Sequence, residues 1–368
     1  MRGLLPVLAK ETKQMLRDGA TLRFALMIPA FQLALFGLID SNVKHVPTVV
    51  FDQSRTQVSR ALIDDFVNTS LFNVIDYVPS RDALREEIVA GHAQVGIEIP
   101  PDYARRRLAG ETADVSILID GSDSSVASQA MAAATGLVLS RSVDELMAAA
   151  GRRAPPIAPH PVMLFNPDSR SANLLIPGLV AILLTFSGTL LAAFSIVRER
   201  ERGTLEQLMV TPVSPVGVVI GKLVPYLVLA FLQLLLILTL MVWVFRVPIH
   251  GSLLLLLSLS IIYLAALLSL GLLISSRATS QMEAVQMAQM FLLPSIMLSG
   301  YIFPLSSLPD FIRPISQILP ATHFIAISRG IILRGATFDD LWGHVVALLA
   351  IALVLVLASS RAFRKTMT

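Results

Sequence analysis

The chain reads as an α-helical polytopic membrane protein of six transmembrane helices with an α/β domain inserted after the first. Three observations predict this. Hydrophobic residues fill 54% of 368 positions and the mean hydropathy is +0.71, greasier than ordinary soluble domains. Uncharged runs recur at a length that crosses a hydrocarbon layer, which takes about 20 helical residues at about 1.5 Å each. The one long interruption, residues 40–173, shows short β-rich runs alternating with helical ones, the pattern of an α/β layer.

Residues 1–19 come first. "LLPVLAKETKQMLRDG" sets Leu5, Leu8, Thr12 and Met15 on one helical face, with Lys10, Lys13 and Arg17 elsewhere, as in a helix lying in the membrane interface. The first span, 20–39, has its apolar run between Arg23 and Asp40, and no small-x-small cleavage site follows Ile39. It is read as an uncleaved anchor. Further spans are expected at 174–197, 223–245, 252–274, 284–303 and 344–361, followed by a tail, 362–368. Lys and Arg collect in 1–19, 198–222, 275–283 and 361–368, with twelve against four in the short alternate segments 246–251 and 304–343. The positive-inside rule therefore puts both termini in the cytoplasm and residues 40–173 outside.

That outer segment holds twelve basic and seventeen acidic side chains, although the whole chain is +3. The sequence pI of 9.4 thus reflects basic membrane rims and excludes a nucleic-acid groove. "VPTVVFD", "FNVIDYV", "AQVGIEIP" and "ADVSILIDG" alternate with helical stretches, the last of them Ser124–Ala150, and predict a mixed sheet. Pro155, Pro156, Pro159 and Pro161 make a stiff linker before a last strand in "PVMLFNP". His45, His92 and His160 have neither metal-site nor nucleophile spacing, so this domain reads as a binding or scaffolding domain. The absence of cysteine excludes disulfides and thiolate metal sites.

The most informative stretch is "RERERGTLEQLMVTP", residues 198–212. Arg198, Glu199, Arg200, Glu201 and Arg202 place opposite charges three apart, which supports a solvated helix continuing beyond the second span. Gly203 suits a C-terminal cap. Thr204 then reads as the N-cap of a new helix, with Gln207 closing a capping box and Glu206 in the first turn. Leu205, Leu208 and Met209 form one apolar face, and Thr211 with Pro212 ends the element. A helix of this length needs a partner surface. A plain basic hairpin between two spans is the competing reading.

Here the chain resembles the membrane subunits of type-2 ABC exporters, in the drug-efflux branch with a large outer domain after the first span. "RERERGTLEQLMVTPVSPVGVVIGK" matches that family's signature, and "LSGYIFPLSSLPDFIRPISQILPATHFIAISRGIILRG" matches its segment between the fifth and sixth spans. The resemblance makes residues 1–19 an elbow helix and Thr204–Val210 a coupling helix that docks on a separate ABC ATPase subunit, present in two copies. Leu205 and Leu208 would fill the ATPase groove, while Glu199, Glu201 and Glu206 supply polar contacts or position the helix, beside Arg200. It implies a second permease subunit, the same or similar, and a bacterial inner-membrane location facing membrane lipid. A periplasmic adaptor protein is a compatible further partner.

ATP and Mg would sit on the partner subunit, and this chain would bind no cofactor and do no catalysis. Its nearest approach to a phosphate-binding loop, "VGVVIGKLV", has Val216 and Leu223 where glycine and a hydroxyl are required. Residues 304–343 hold Pro304, Pro309, Pro314 and Pro320 and are too broken to span. The family analogy suggests re-entrant helices there, held by His323 and Arg329. Gln32, Gln233, Gln286 and Gln289 are polar groups within spans, serving as helix-packing glue or marking a pathway. Two rival functions are an ion-gradient-driven antiporter and a membrane-anchored sensor whose outer domain binds a ligand.

Overall fold

The computed structural model describes residues 4–38, 44–149, 165–166, 170–201, 203 and 215–366. The proline linker and most of "PVMLFNP" lie outside the described residues. The chain divides into two compact units, Met1–Asp40 with Met163–Thr368, and Ser41–Val162.

The second unit is built on a four-stranded sheet, ordered β2-β1-β3-β4, from β1 (Val46–Asp52), β2 (Phe72–Tyr77), β3 (Val95–Ile99) and β4 (Ser116–Ile119). β1 pairs in parallel with β2 and β3, while β3 and β4 are antiparallel. Two helices, α3 (Gln57–Asn68) and α4 (Arg81–Val89), make the connections that the parallel strands require, and α5 (Tyr103–Leu108) lies between the antiparallel β3 and β4. The longer α6 (Ser124–Ala149) follows β4. Val50, Ile97, Ile99, Phe66, Phe72 and Ala130 share one buried cluster, and Val49, Leu84 and Ala93 another. Apolar clusters on both sides of β1 explain its nearly continuous apolar run. Thr56 and Ser59 close a capping box at the start of α3, and the Ser59 hydroxyl donates to Asp52 at 2.7 Å.

The first unit is helical. α1 (Leu4–Arg17) and α2 (Gly19–Gly37) are followed by α7 (Ser171–Glu201), α8 (Pro215–Trp243), α9 (Leu253–Arg277) and α10 (Gln281–Leu298). A 3₁₀ turn at Leu305–Ser307 leads into α11 (Arg313–Ile318), α12 (Pro320–Arg334) and α13 (Phe338–Thr366). Among the described residues, four helices are long and apolar enough to cross a membrane: α7, Ile220–Trp243 of α8, α9, and Phe338–Ala362 of α13. A bend of 65° separates α1 from Leu22–Gly37, and the pair counts together as a fifth. α10 falls short because Gln281, Glu283, Gln286 and Gln289 dilute its first half.

α7 is the hub, with 83% of its most apolar window buried. Its interior hydroxyls return to the helix backbone four residues back, Thr185 to Ala181 at 2.8 Å and Ser187 to Leu183 at 2.9 Å. The Tyr263 hydroxyl of α9 lies 2.6 Å from the Thr185 hydroxyl and donates to the Ala181 carbonyl at 2.9 Å. Its ring stacks on Phe324 of α12 with centroids 4.1 Å apart. Gly271 of α9 marks a close crossing, where an added Cβ would lie 2.3 Å from the Thr189 carbonyl oxygen of α7.

Gly271→Val should therefore wedge α9 away from α7 and cost about 1–3 kcal/mol through overpacking. The check is a lower thermal midpoint of the detergent-solubilised protein. An unchanged midpoint would refute so tight a crossing.

Candidate functional site

The apolar run of α7 ends at Val197, and its next four residues are all charged. Successive helical residues turn by about 100°, so four consecutive side chains reach four different neighbours. Arg198 pairs with Asp18, between α1 and α2. Glu199 is paired with Lys10 of α1 and, at 2.8 Å, with Lys222 of α8. The Arg200 guanidinium donates to the carbonyls of Ser276 and Ala278, at the C-terminal end of α9. Glu201 accepts from the Gln281 backbone N–H at 2.7 Å and from its side-chain amide, at the start of α10.

Lys222 anchors this junction. Its side chain has 0% exposure, and its ammonium lies 2.7 Å from Glu11 and 2.8 Å from Glu199, each with 2% side-chain exposure. An isolated buried ammonium would be costly, and a single lysine between two carboxylates would leave a negative charge inside. Lys10 supplies the second cation, reaching Glu199 and lying 3.5 Å from Glu11. Two acids and two bases thus balance across α1, α7 and α8.

Lys10 lies on α1, outside the apolar helices. Burial pulls its ammonium down, but the hydrogen bond and charge of Glu199, then those of Glu11, leave it above the ordinary lysine value. With the folded value raised, its contribution to stability is complete below the ordinary lysine value and is lost as pH rises through the raised one.

The approach of α1 to α8 depends on Gly221. A Cβ there would meet Val7 Cγ1 at 2.9 Å and the Leu4 carbonyl oxygen at 3.4 Å. The bare backbone lets Val7 bury and carries Glu11, one helical turn further on, to Lys222.

One expectation changes here. Alternating charges at 198–202 suggest a solvated helix end, but Glu199 is buried and paired within the chain, because α1 lies against α7 and α8. On α1, Leu5 is 73% exposed, and the buried positions are Val7 and Glu11. The face that packs is the one compatible with an ion pair.

Of the remaining sequence candidates, Gly203 takes φ +66° and donates its N–H to the Arg200 carbonyl at 3.1 Å. Thr204, Leu205, Glu206, Gln207, Leu208, Thr211 and Pro212 lie outside the described residues, as does Arg202. Arg329 donates to the Gly300 and Tyr301 carbonyls at 2.8 and 3.1 Å, just past the end of α10. His323 Nε2 donates to the Gln317 carbonyl at 2.9 Å, and its Nδ1 lies 3.2 Å from His344 Nδ1. Gln233 is fully buried and donates to the Ser187 hydroxyl of α7 at 2.7 Å. Gln286 and Gln289 are exposed on α10. The structure therefore joins Glu199, Arg200, Glu201 and Gly203 in one place and leaves His323, Arg329 and the glutamines elsewhere. No cluster of three or more metal-ligating acids or histidines occurs among the described residues.

Sequence reasoning missed Glu11, Lys10 and Lys222 as one site. One signal was available: Lys222 is the only charged residue of α8, and an ionisable group in such a helix marks a partner to be found. It is also the lysine of the "VGVVIGKLV" string, here engaged by two carboxylates.

Against known proteins, residues 20–361 match the family described as ABC-2 family transporter protein. The chain is 32% identical to a protein named probable multidrug ABC transporter permease YbhS, of Escherichia coli K12, over 94% of this chain and 93% of that one. It is 29% identical to probable multidrug ABC transporter permease YbhR of the same organism, over 98% of each. ABC transporter G family member 20 of Dictyostelium discoideum is 25% identical over 89% of this chain but only 46% of its own length.

Lys222→Met should destabilise the helical unit by about 3–5 kcal/mol, because it leaves Glu11 and Glu199 facing each other with only Lys10 between them. Adding Glu11→Gln and Glu199→Gln to that variant should restore most of the loss. Thermal midpoints in detergent check this; a neutral single variant or an unrestored triple variant would refute the balance of charges.

Proposed function

The chain belongs to the ABC-2 family of transporter proteins, and from that membership we propose that it is the permease subunit of an ATP-driven exporter of drugs or similar amphipathic molecules. The names of the YbhS and YbhR relatives support the multidrug reading. Two ABC ATPase subunits carry ATP and Mg, and a second permease, the same or similar, completes the assembly. α2 and α10 join the four longer helices as the first and fifth of six spans. Residues 40–173 form the extracytoplasmic domain, and both termini are cytoplasmic, in a bacterial inner membrane.

The observation that carries the mechanism is the four-charge junction at the end of α7, directly before residues 204–210. In this reading those residues are the coupling helix, with Leu205 and Leu208 seated in the ATPase. Motion arriving there enters α7 at a point where Glu199 is held by two lysines and Glu201 by Gln281. A clamped end moves as a body with α1, α8 and the start of α10, so the displacement passes into the most buried helix. Differential contact of the ATPases with the coupling helix in their two nucleotide states supplies the direction.

Glu11 and Glu199 are buried carboxylates of a kind that an ion-driven antiporter would need. They lie beyond the apolar run and each meets a lysine, which supports a fixed ionic joint over a proton carrier.

Leu205→Asp with Leu208→Asp should abolish co-purification of the ATPase while the protein still inserts and remains monodisperse. ATP hydrolysis stimulated by substrate should vanish with it. Unchanged co-purification would overturn the docking assignment.

A further inference from the structure

We propose that the crevice between α1, α2 and α7 binds one anionic phospholipid, with an acyl chain between α2 and α7 and the headgroup over the basic side of α1. The crevice has two parts that meet at one residue. A slot of about 290 Å³ is walled by Phe24, Ile28 and Pro29 of α2 and by Phe186, Leu190 and Phe194 of α7, and Arg198 stands among its lining. Arg198 also lines a cavity of about 1060 Å³, where, among the described residues, the lining carries Lys10, Lys13, Arg17 and Arg198 with Asp18 and Glu201. One end is apolar and aromatic; the other is wide and carries more bases than acids.

Three features select the occupant. The apolar run of α7 stops at Val197, so Arg198 stands at headgroup level, where an amphiphile changes character. Arg198 and Lys10 are engaged by Asp18 and Glu199. Lys13 and Arg17, both exposed on α1, are therefore the bases that a phosphodiester would meet. A soluble anion would leave the apolar slot unfilled, and a zwitterionic lipid would leave the excess positive charge unmet. A phospholipid with net negative charge satisfies both halves. The site shares Arg198 and Glu201 with the charged end of α7, but its test reads lipid retention alone and so can fail or succeed apart from the transport reading.

The test uses the full chain, purified in detergent and stripped of lipid. It is titrated with dioleoyl-phosphatidylglycerol, with dioleoyl-phosphatidylcholine, or with glycerol 3-phosphate, and retention is read by native mass spectrometry. One phosphatidylglycerol should be retained, phosphatidylcholine should not displace it, and glycerol 3-phosphate should not compete. Lys13→Gln with Arg17→Gln should weaken retention about twenty-fivefold, a factor of about five for each basic side chain at an anionic headgroup. Ile28→Trp, which fills the slot, should block retention without changing those charges. Equal retention of the two lipids would overturn the proposal, as would undiminished binding in both variants. Competition by glycerol 3-phosphate would also overturn it, by identifying a free-phosphate site. If either variant fails to fold, the competition between the three probes on the unaltered protein decides alone.

Discussion

Lys222 is enclosed by protein, and water cannot compensate its charge; two carboxylates from two other helices do so instead. That requirement fixes more than a pair of side chains. A carboxylate must stay within hydrogen-bonding distance of a buried ammonium or the desolvation cost returns in full. Glu11 therefore holds α1 against α8, and Glu199 holds α7 against α8. Gly221 makes the arrangement sterically feasible by removing the Cβ that Val7 would strike. Lys10 then brings the total to neutrality and ties α1 to α7 directly. Three helices meet through one ionic joint placed where the apolar part of the longest helix ends.

The rest of the helical unit is organised around that helix. In its middle, Thr185 and Ser187 satisfy their hydroxyls on the preceding turn, Ser187 still accepts from Gln233, and Tyr263 donates to the Ala181 carbonyl beside Thr185. Nearer its start, the Pro177 carbonyl accepts from Ser328 of α12 at 3.0 Å. Polar contacts occur along the whole of α7 because small residues and short hydroxyls let the backbones approach. A helix tied at its start, middle and end transmits displacement better than one resting on apolar contact alone. That is the property on which the proposed transport cycle would draw.

Around α12 the same economy appears. Its last carbonyls are met by the N–H groups of His250 and Gly251 at 3.0 Å each, and Gly335, with φ +66°, closes its end. Arg329 meets the carbonyls just beyond α10. A short buried helix in an apolar setting must find partners for its terminal groups within the protein. His323 and Arg329 are accounted for by that need.

The sequence by itself determined the apolar helices, the strand and helix alternation of residues 46–149, and the concentration of charge after Val197. These follow from periodicity and composition, which are local properties. Gly203 was legible as a helix end for the same reason, since only a residue free of Cβ takes a positive φ cheaply. The partners of those charges were not legible. Glu11 and Lys222 are 211 positions apart and Lys10 and Glu199 are 189 apart, and no local pattern records which distant side chain will neutralise a buried charge. The alternation at 198–202 even suggests the opposite, a helix end in water. Whether a carboxylate is solvated or enclosed depends on which helices pack beside it, and only the tertiary structure decided that.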